Sequence, residues 1–249
     1  MPLSDTLVDM PSEGYVFHTS WPAATSDMDQ FEQLSVDGVA RYLQEVGAYH
    51  LIDAGAMETD PFWIVRRTVI DMIEPVTWPN TLTLSRWCAA LGSRWCNMRV
   101  KIIGDHGGRI ETEAFWIHMN METRGPGHIE GKFLEMLGST TDERRLRWSP
   151  WLTTPMAQES PRTFQIRHSD TDRFGHVTNA IYWQALREVF DEVPDVVAGK
   201  HRLVIEYNKP IMYGEEVHLT TTPIDDGVLV YLSVDGRART HMSITALPD

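Results

Sequence analysis

The chain has 249 residues, 42% hydrophobic and 10% aromatic, with 22 Lys and Arg against 35 Asp and Glu for a net charge of −13. That apolar content excludes a disordered chain, and the acidic balance disfavours nucleic acid, whose phosphates need a local excess of Lys and Arg. No apolar run reaches the ~20 residues of a membrane helix, and the start lacks the basic and apolar regions of a secretory signal, so a cytoplasmic protein with no membrane partner is expected.

The first element is an acidic polar turn, Ser26-Asp27-Met28-Asp29-Gln30-Phe31. Val39, Leu43 and Val46 then recur at helical spacing, which predicts a helix to about His50–Ala54, before Gly55. β-rich runs follow at Phe62-Trp63-Ile64-Val65 and Val69-Ile70-Asp71-Met72-Ile73, and Thr81-Leu82-Thr83-Leu84 alternates as a strand with one covered face does. Cys88 and Cys96 flank Gly92-Ser93 and read as buried thiols on neighbouring strands of a hairpin; their spacing fits no zinc pattern, and the ten His residues form no ligand cluster. No metal or other cofactor is expected. Asp105-His106-Gly107-Gly108 predicts a further hairpin turn.

Beyond Gly125-Pro126-Gly127, residues 142–147, with Arg144, Arg145 and Arg147, predict a short charged helix. Trp148-Ser149-Pro150-Trp151, Pro155 and Pro161 predict an extended connection. The domain boundary is placed near residue 155, giving units 1–155 and 156–249. A second acidic turn, Ser169-Asp170-Thr171-Asp172-Arg173-Phe174, precedes a helical pattern through Ile181, Ala185 and Leu186. Val217-His218-Leu219-Thr220 and turns at Asp225-Asp226-Gly227 and Asp235-Gly236 complete an antiparallel meander.

The second half repeats the first. The two acidic turns match at an offset of 143, and the register continues with Leu43 over Leu186 and Glu45-Val46 over Glu188-Val189. A second block matches at an offset of 135: Val69-Ile70-Asp71, Pro75, Trp78 and Leu84 lie over Val204-Ile205-Glu206, Pro210, Tyr213 and Leu219. One long helix followed by an antiparallel meander, twice, is an α+β fold.

The copies differ where chemistry is concerned. Asp170, Asp172, His176 and Asn179 of the second correspond to Asp27, Asp29, Gln33 and Val36 of the first. Shared aspartates suit turn closure and helix capping; His176 and Asn179 occur once. A carboxylate, an imidazole and an amide at a helix start can assemble a hydrolytic site: Asp172 as base or nucleophile, His176 positioning water, and free backbone N–H groups polarising a carbonyl. The alternative is that His176 and Asn179 are polar loop and first-turn residues satisfied by backbone.

The stretch Asp170-Thr171-Asp172 through His176-Val177, Asn179 and Tyr182 resembles the D-x-D-x-x-x-H-V-x-N-x-x-Y signature of hotdog-fold thioesterases. The first half is similar to acyl-ACP thioesterases at Leu43-Gln44-Glu45-Val46 to His50, at Trp63-Ile64-Val65-Arg66-Arg67, and at Arg86-Trp87-Cys88 through Arg94 and Arg99. The resemblance implies a tandem (double) hotdog in which each half is a long helix wrapped by an antiparallel sheet. The first half would shape the acyl pocket and the second would carry catalytic Asp172, His176 and Asn179. It implies substrate contacts at Trp63, Arg66, Arg67 and Phe174, with the two arginines meeting phosphopantetheine or an acidic carrier protein; the alternative for the arginines is a solvated strand end. It also implies hydrolysis of acyl-ACP or acyl-CoA in fatty acid biosynthesis; exposed sheet edges suit a homodimer. Two departures stand out. Phe174 occupies the place of a catalytic Asn, and Lys209-Pro210-Ile211 replaces a Glu-Cys pair, so no Cys nucleophile is available. Those departures suit a second reading, an acyl-thioester binding protein without turnover.

Overall fold

The computed structural model describes residues 6–157 and 161–248. Its centre is one antiparallel sheet of ten strands. In the first half these are β1 (Phe17–Pro22), β2 (Trp63–Glu74), β3 (Thr81–Leu91), β4 (Trp95–Gly104) and β5 (Arg109–His118). The second half supplies β6 (Arg162–Thr163), β7 (His201–Tyr207), β8 (His218–Ile224), β9 (Gly227–Val234) and β10 (Arg237–Ala246). The spatial order β1-β3-β4-β5-β2-β7-β10-β9-β8-β6 reads as one five-strand unit followed by its reverse.

The repeat is visible in the pairing at the centre. Strands β2 and β7 run antiparallel with Val69 opposite Val204, its own equivalent at offset 135. Arg67 therefore faces Glu206, and Asp71 faces Arg202, so one ion pair occurs twice about a local two-fold axis. All four side chains are buried, where a charge is tolerated only with a partner.

Helix α1 (Val36–Asp53) ends at Ala54, and Gly55 follows at φ +64, the left-handed conformation that glycine adopts without a Cβ penalty. Its inner face, with Val39 and Val46 wholly buried, packs on the sheet's Leu82, Leu84 and Ile102. Full burial of each such side chain contributes about 1.5–3 kcal/mol. Helix α3 (Asn179–Arg187) packs against α1. Asp37 on α1 binds Arg187 at 2.7 Å and Gln184 at 3.2 Å. Burial opposes ionisation of Asp37, but Arg187 and Arg41 outweigh it and hold the carboxyl below its usual range.

Three expectations change. The second helix is half the length of the first: the chain leaves α3 at Glu188, and Pro194 starts a separate four-residue α4 (Pro194–Val197). Proline disfavours helical geometry in the residue before it, and Val193 sits at φ −137, ψ 50. The two β-rich runs of residues 62–73 are one strand, with a register shift between Val65 and Arg67 that makes Arg66 a bulge. Residues 142–147 form no helix. They lie along the end of β3, with Leu91 N–H on the Glu143 carbonyl and Leu146 N–H on the Leu91 carbonyl. The helix of this region is α2 (Gly131–Gly138), which buries Phe133 and Leu137. No described helix is long and apolar enough to cross a membrane.

Candidate active site

The two acidic turns are the same object built twice. In the first, Asp29 Oδ1 accepts the N–H groups of Phe31 at 2.8 Å and Gln33 at 2.9 Å. In the second, Asp172 Oδ1 accepts those of Phe174 at 2.8 Å and His176 at 3.0 Å. Each turn is tied identically to its own sheet: Leu34 N–H meets the Val76 carbonyl at 2.8 Å, and Val177 N–H meets the Ile211 carbonyl at 2.9 Å. One carboxylate oxygen of Asp172 is thus occupied by the turn. The other, Oδ2, accepts no hydrogen bond from a described residue, and Asp172 is exposed.

The helix starts diverge. Ser35 caps α1, its hydroxyl accepting the Gly38 N–H at 3.2 Å. Thr178, at the same place before α3, makes no side-chain cap. The first turn of α3 therefore keeps backbone donors that no side chain covers, at the positive end of the helix dipole. Asn179 is the first residue of that turn, and His176 is half-buried beside it. Neither side chain hydrogen-bonds another described residue, so both remain available to a ligand. Asp172 and His176 are held together by backbone, with Asp172 N–H on the His176 carbonyl at 2.8 Å.

Phe174 leads from this turn into the first half. Its half-exposed ring meets Phe62 edge-on at 5.9 Å, and the neighbouring Trp63 forms part of the wall of an apolar cavity of about 250 Å³. Gln44 and Leu51 of α1, Met98 of β4 and Phe133 of α2 complete much of that wall. Trp63 is fixed by its indole N–H on the Asp60 carbonyl at 2.8 Å and by Phe133 at 5.9 Å. A polar cleft of about 370 Å³ is lined by Gln184, Arg187, Glu188 and Asp191.

The two arginines expected at the substrate differ in their surroundings. Arg67 is buried, binds Glu206 at 3.1 Å and the Ser149 carbonyl at 3.0 Å, and stacks on Trp151 at 3.7 Å. The Glu206 charge on the partner strand, 139 residues away, draws this guanidinium inward. Arg66, half-buried, donates to the carbonyls of Tyr207 and Asn208 and lies over Trp148 at 5.1 Å. Arg144 donates to the Gly138 carbonyl at 2.5 Å, while Arg145 and Arg147 are exposed. The two thiols are buried and free.

Arg86, part of the family resemblance but not among the expected site residues, lies on the cavity wall. Leu82, Leu84, Arg86 and Cys88 share one face of β3, so the alternation itself places an arginine at a core position. Arg86 is 8% exposed, lines the cavity, and donates to His50 Nδ1.

Two five-strand units, each wrapped on a helix and fused edge to edge, define a double hotdog. Residues 14–137 match the acyl-ACP thioesterase N-terminal domain and residues 153–244 the acyl-ACP thioesterase C-terminal domain. The chain belongs to the acyl-ACP thioesterase family. Uncharacterized proteins from two strains of Mycobacterium tuberculosis are 47% identical over 233 residues, covering 94% of this chain and 93% of theirs. The chloroplastic dodecanoyl-[acyl-carrier-protein] hydrolase of Umbellularia californica is 22% identical, over 79% of this chain and 56% of its own. Among solved structures, an acyl-ACP thioesterase from Bacteroides thetaiotaomicron superposes with a TM-score of 0.75 at 17% identity, covering 92% of this chain and 97% of that one. The 12:0-ACP thioesterase of Umbellularia californica gives 0.67 at 19% identity, covering 92% and 96%. These likenesses establish the fold.

Proposed function

We propose that the protein hydrolyses a fatty acyl thioester, on acyl carrier protein or coenzyme A, and releases the free acid in fatty acid biosynthesis in the cytoplasm. The observation that carries this reading is the asymmetry of the two helix starts. The fold closes the first with Ser35 and leaves the second open beside Asp172, His176 and Asn179. In this reading the unit to about residue 155 shapes the acyl pocket and the unit from 156 carries the chemistry.

The acyl chain lies in the cavity behind Trp63, and its thioester carbonyl sits at the start of α3. The carbonyl oxygen takes hydrogen bonds from the uncapped backbone N–H groups, which favour the charge it gains on attack. Oδ2 of Asp172 accepts a proton from water as the water oxygen bonds to the carbonyl carbon. Collapse breaks the C–S bond, and the sulfur leaves as a thiol with that proton. His176 and Asn179 orient water and carbonyl. Phe174, packed edge-on against Phe62, supplies no proton, so the demand on Asp172 is greater than where a second amide stands there.

The test is thiol release from matched acyl-ACP and acyl-CoA substrates by the wild type, His176→Ala and Asn179→Ala. Release on one carrier, reduced at least tenfold in both variants with folding intact, supports hydrolysis and identifies the carrier. Acyl-thioester binding without release supports the second reading, a binding protein, which Phe174 and Lys209-Pro210 favour.

A further inference from the structure

Five arginines are buried among the described residues, and four have a carboxylate. Arg67 pairs with Glu206 at 3.1 Å, Arg99 with Glu111 at 2.6 Å, Arg202 with Asp71 at 2.6 Å and Arg239 with Glu215 at 2.8 Å. Arg86 has none. Among the described residues its one hydrogen-bond partner is His50 Nδ1, a neutral acceptor, so most of its five N–H donors are unspent there. His50 is 1% exposed, and burial first, then Arg86, lowers its pKa to about 2, so it brings no negative charge and keeps no proton on Nδ1. Its Nε2–H is itself buried without a partner. The ionisable groups that act on Arg86 are the Cys88 and Cys96 thiols and the Tyr15 phenol, and burial raises the pKa of Cys96 and of Tyr15 so that neither brings a charge. The result is a lone cation in the wall of an apolar cavity.

The fold does not require it. In the second copy the same position on β8 is Thr221, two residues past the matched leucines Leu84 and Leu219. A buried, unpaired guanidinium is destabilising, and such a group persists where a ligand supplies the missing charge.

We propose that Arg86 receives a carboxylate at the far end of the acyl chain, so that the preferred substrate is the monothioester of a dicarboxylic acid rather than a methyl-ended fatty acyl thioester. The inference rests on the hydrolytic reading above for the word substrate, and on the cavity alone for the carboxylate. The geometry fits this direction. Phe174 of the Asp172 turn meets Phe62, whose chain neighbour Trp63 on β2 lines the cavity. Arg86 stands on β3, three strands from β2 in the sheet, and lines the same cavity as Trp63. A chain that enters beside Trp63 and fills the cavity among Leu51, Met98 and Phe133 meets the guanidinium with its terminus. A carboxylate there forms the planar two-point contact to which arginine is suited; a methyl group leaves the cation unpaired.

The experiment compares thioesters of equal chain length, ω-carboxylated and methyl-ended, on the carrier the wild type accepts. Wild type, Arg86→Met and Arg86→Lys are assayed. The expected result is kcat/KM at least tenfold higher for the ω-carboxylated substrate, reversed to a methyl preference in Arg86→Met and partly kept in Arg86→Lys. Arg86→Met keeps the side-chain volume and removes the charge, so its Tm stays level or rises. Equal or better hydrolysis of the methyl-ended substrate by wild type overturns the proposal.

A binding arm separates this failure from that of hydrolysis. Wild type and Arg86→Met are titrated calorimetrically with an α,ω-dicarboxylate and with the monocarboxylate of equal length. If neither thioester is cleaved, tighter dicarboxylate binding that Arg86→Met abolishes upholds the carboxylate site and removes the hydrolytic reading. Arg86-dependent binding of the monocarboxylate with no gain from the second carboxylate assigns Arg86 to the head group of a free fatty acid and overturns the proposal.

Discussion

Glu206→Leu should be among the most damaging single substitutions in the molecule, although it lies outside the candidate site. Its carboxylate is buried and serves three donors: Arg67 at 3.1 Å, the Trp151 N–H at 2.8 Å and the Leu152 N–H at 3.3 Å. Leucine leaves the Arg67 charge buried without a partner, which costs about 3–5 kcal/mol. At roughly 2–4 °C per kcal/mol for a chain of this size, Tm falls by roughly 6–20 °C. Adding Arg67→Met should recover most of that loss, because the stranded charge is gone. About 1–3 kcal/mol remains, from the two N–H groups left unanswered. The assay is urea and thermal unfolding followed by circular dichroism on the wild type, both single variants and the double. A Glu206→Leu Tm within about 2 °C of wild type, or a double variant worse than Glu206→Leu alone, refutes the reasoning. The same series decides what Arg67 does. A structural arginine lowers Tm and leaves KM unchanged, whereas a phosphate-binding one raises KM and leaves Tm unchanged.

The matched turns make a paired prediction: Asp29→Ala and Asp172→Ala each lose about 0.5–2 kcal/mol of stability, as capping substitutions do, but only the second abolishes thiol release, as unfolding and activity measured side by side will show. Ser35→Ala should cost about 1 kcal/mol, while Thr178→Ala, which removes no cap, leaves the urea midpoint unchanged. Burial, aided by Arg86, holds the His50 pKa down to about 2, and burial also lowers that of His201. The unfolded chain therefore binds their protons first. Their contribution is complete above about pH 6.5 and is lost as pH falls below it, by up to about 1.4 kcal/mol per pH unit for each histidine. His50→Gln, which keeps an acceptor for Arg86, should flatten the fall in the urea midpoint between roughly pH 6 and 4; an unchanged slope counts against a buried neutral His50.

Much of the architecture was legible because it is written twice. The offsets of 143 and 135 predict which backbone groups meet: Gln33 bridges Thr77, and His176 bridges Met212, equivalents on both sides. The hairpin turns and the end of α1 at Gly55 follow from local chemistry, which sequence carries directly. Long-range partners do not. Nothing local to Arg67 announces Glu206, and nothing in residues 142–147 announces the edge of Leu91 that keeps them extended. Asp172 was recognisable from its pattern, but that one of its oxygens closes its own turn required the parallel with Asp29 in three dimensions. Arg86 lay between, for its core parity on β3 could be read off while its lack of an acidic partner could not.

The most direct test of the central claim is a single-turnover reaction of the preferred acyl thioester with wild type and Asp172→Asn, products identified by mass spectrometry. Asparagine keeps an acceptor for the Phe174 and His176 N–H groups, so the turn survives while the carboxylate is lost. The expected products are free acid and free thiol from the wild type, and intact thioester still bound to a variant of unchanged Tm. Equal product formation by Asp172→Asn, or none by the wild type with the ligand bound, contradicts that claim.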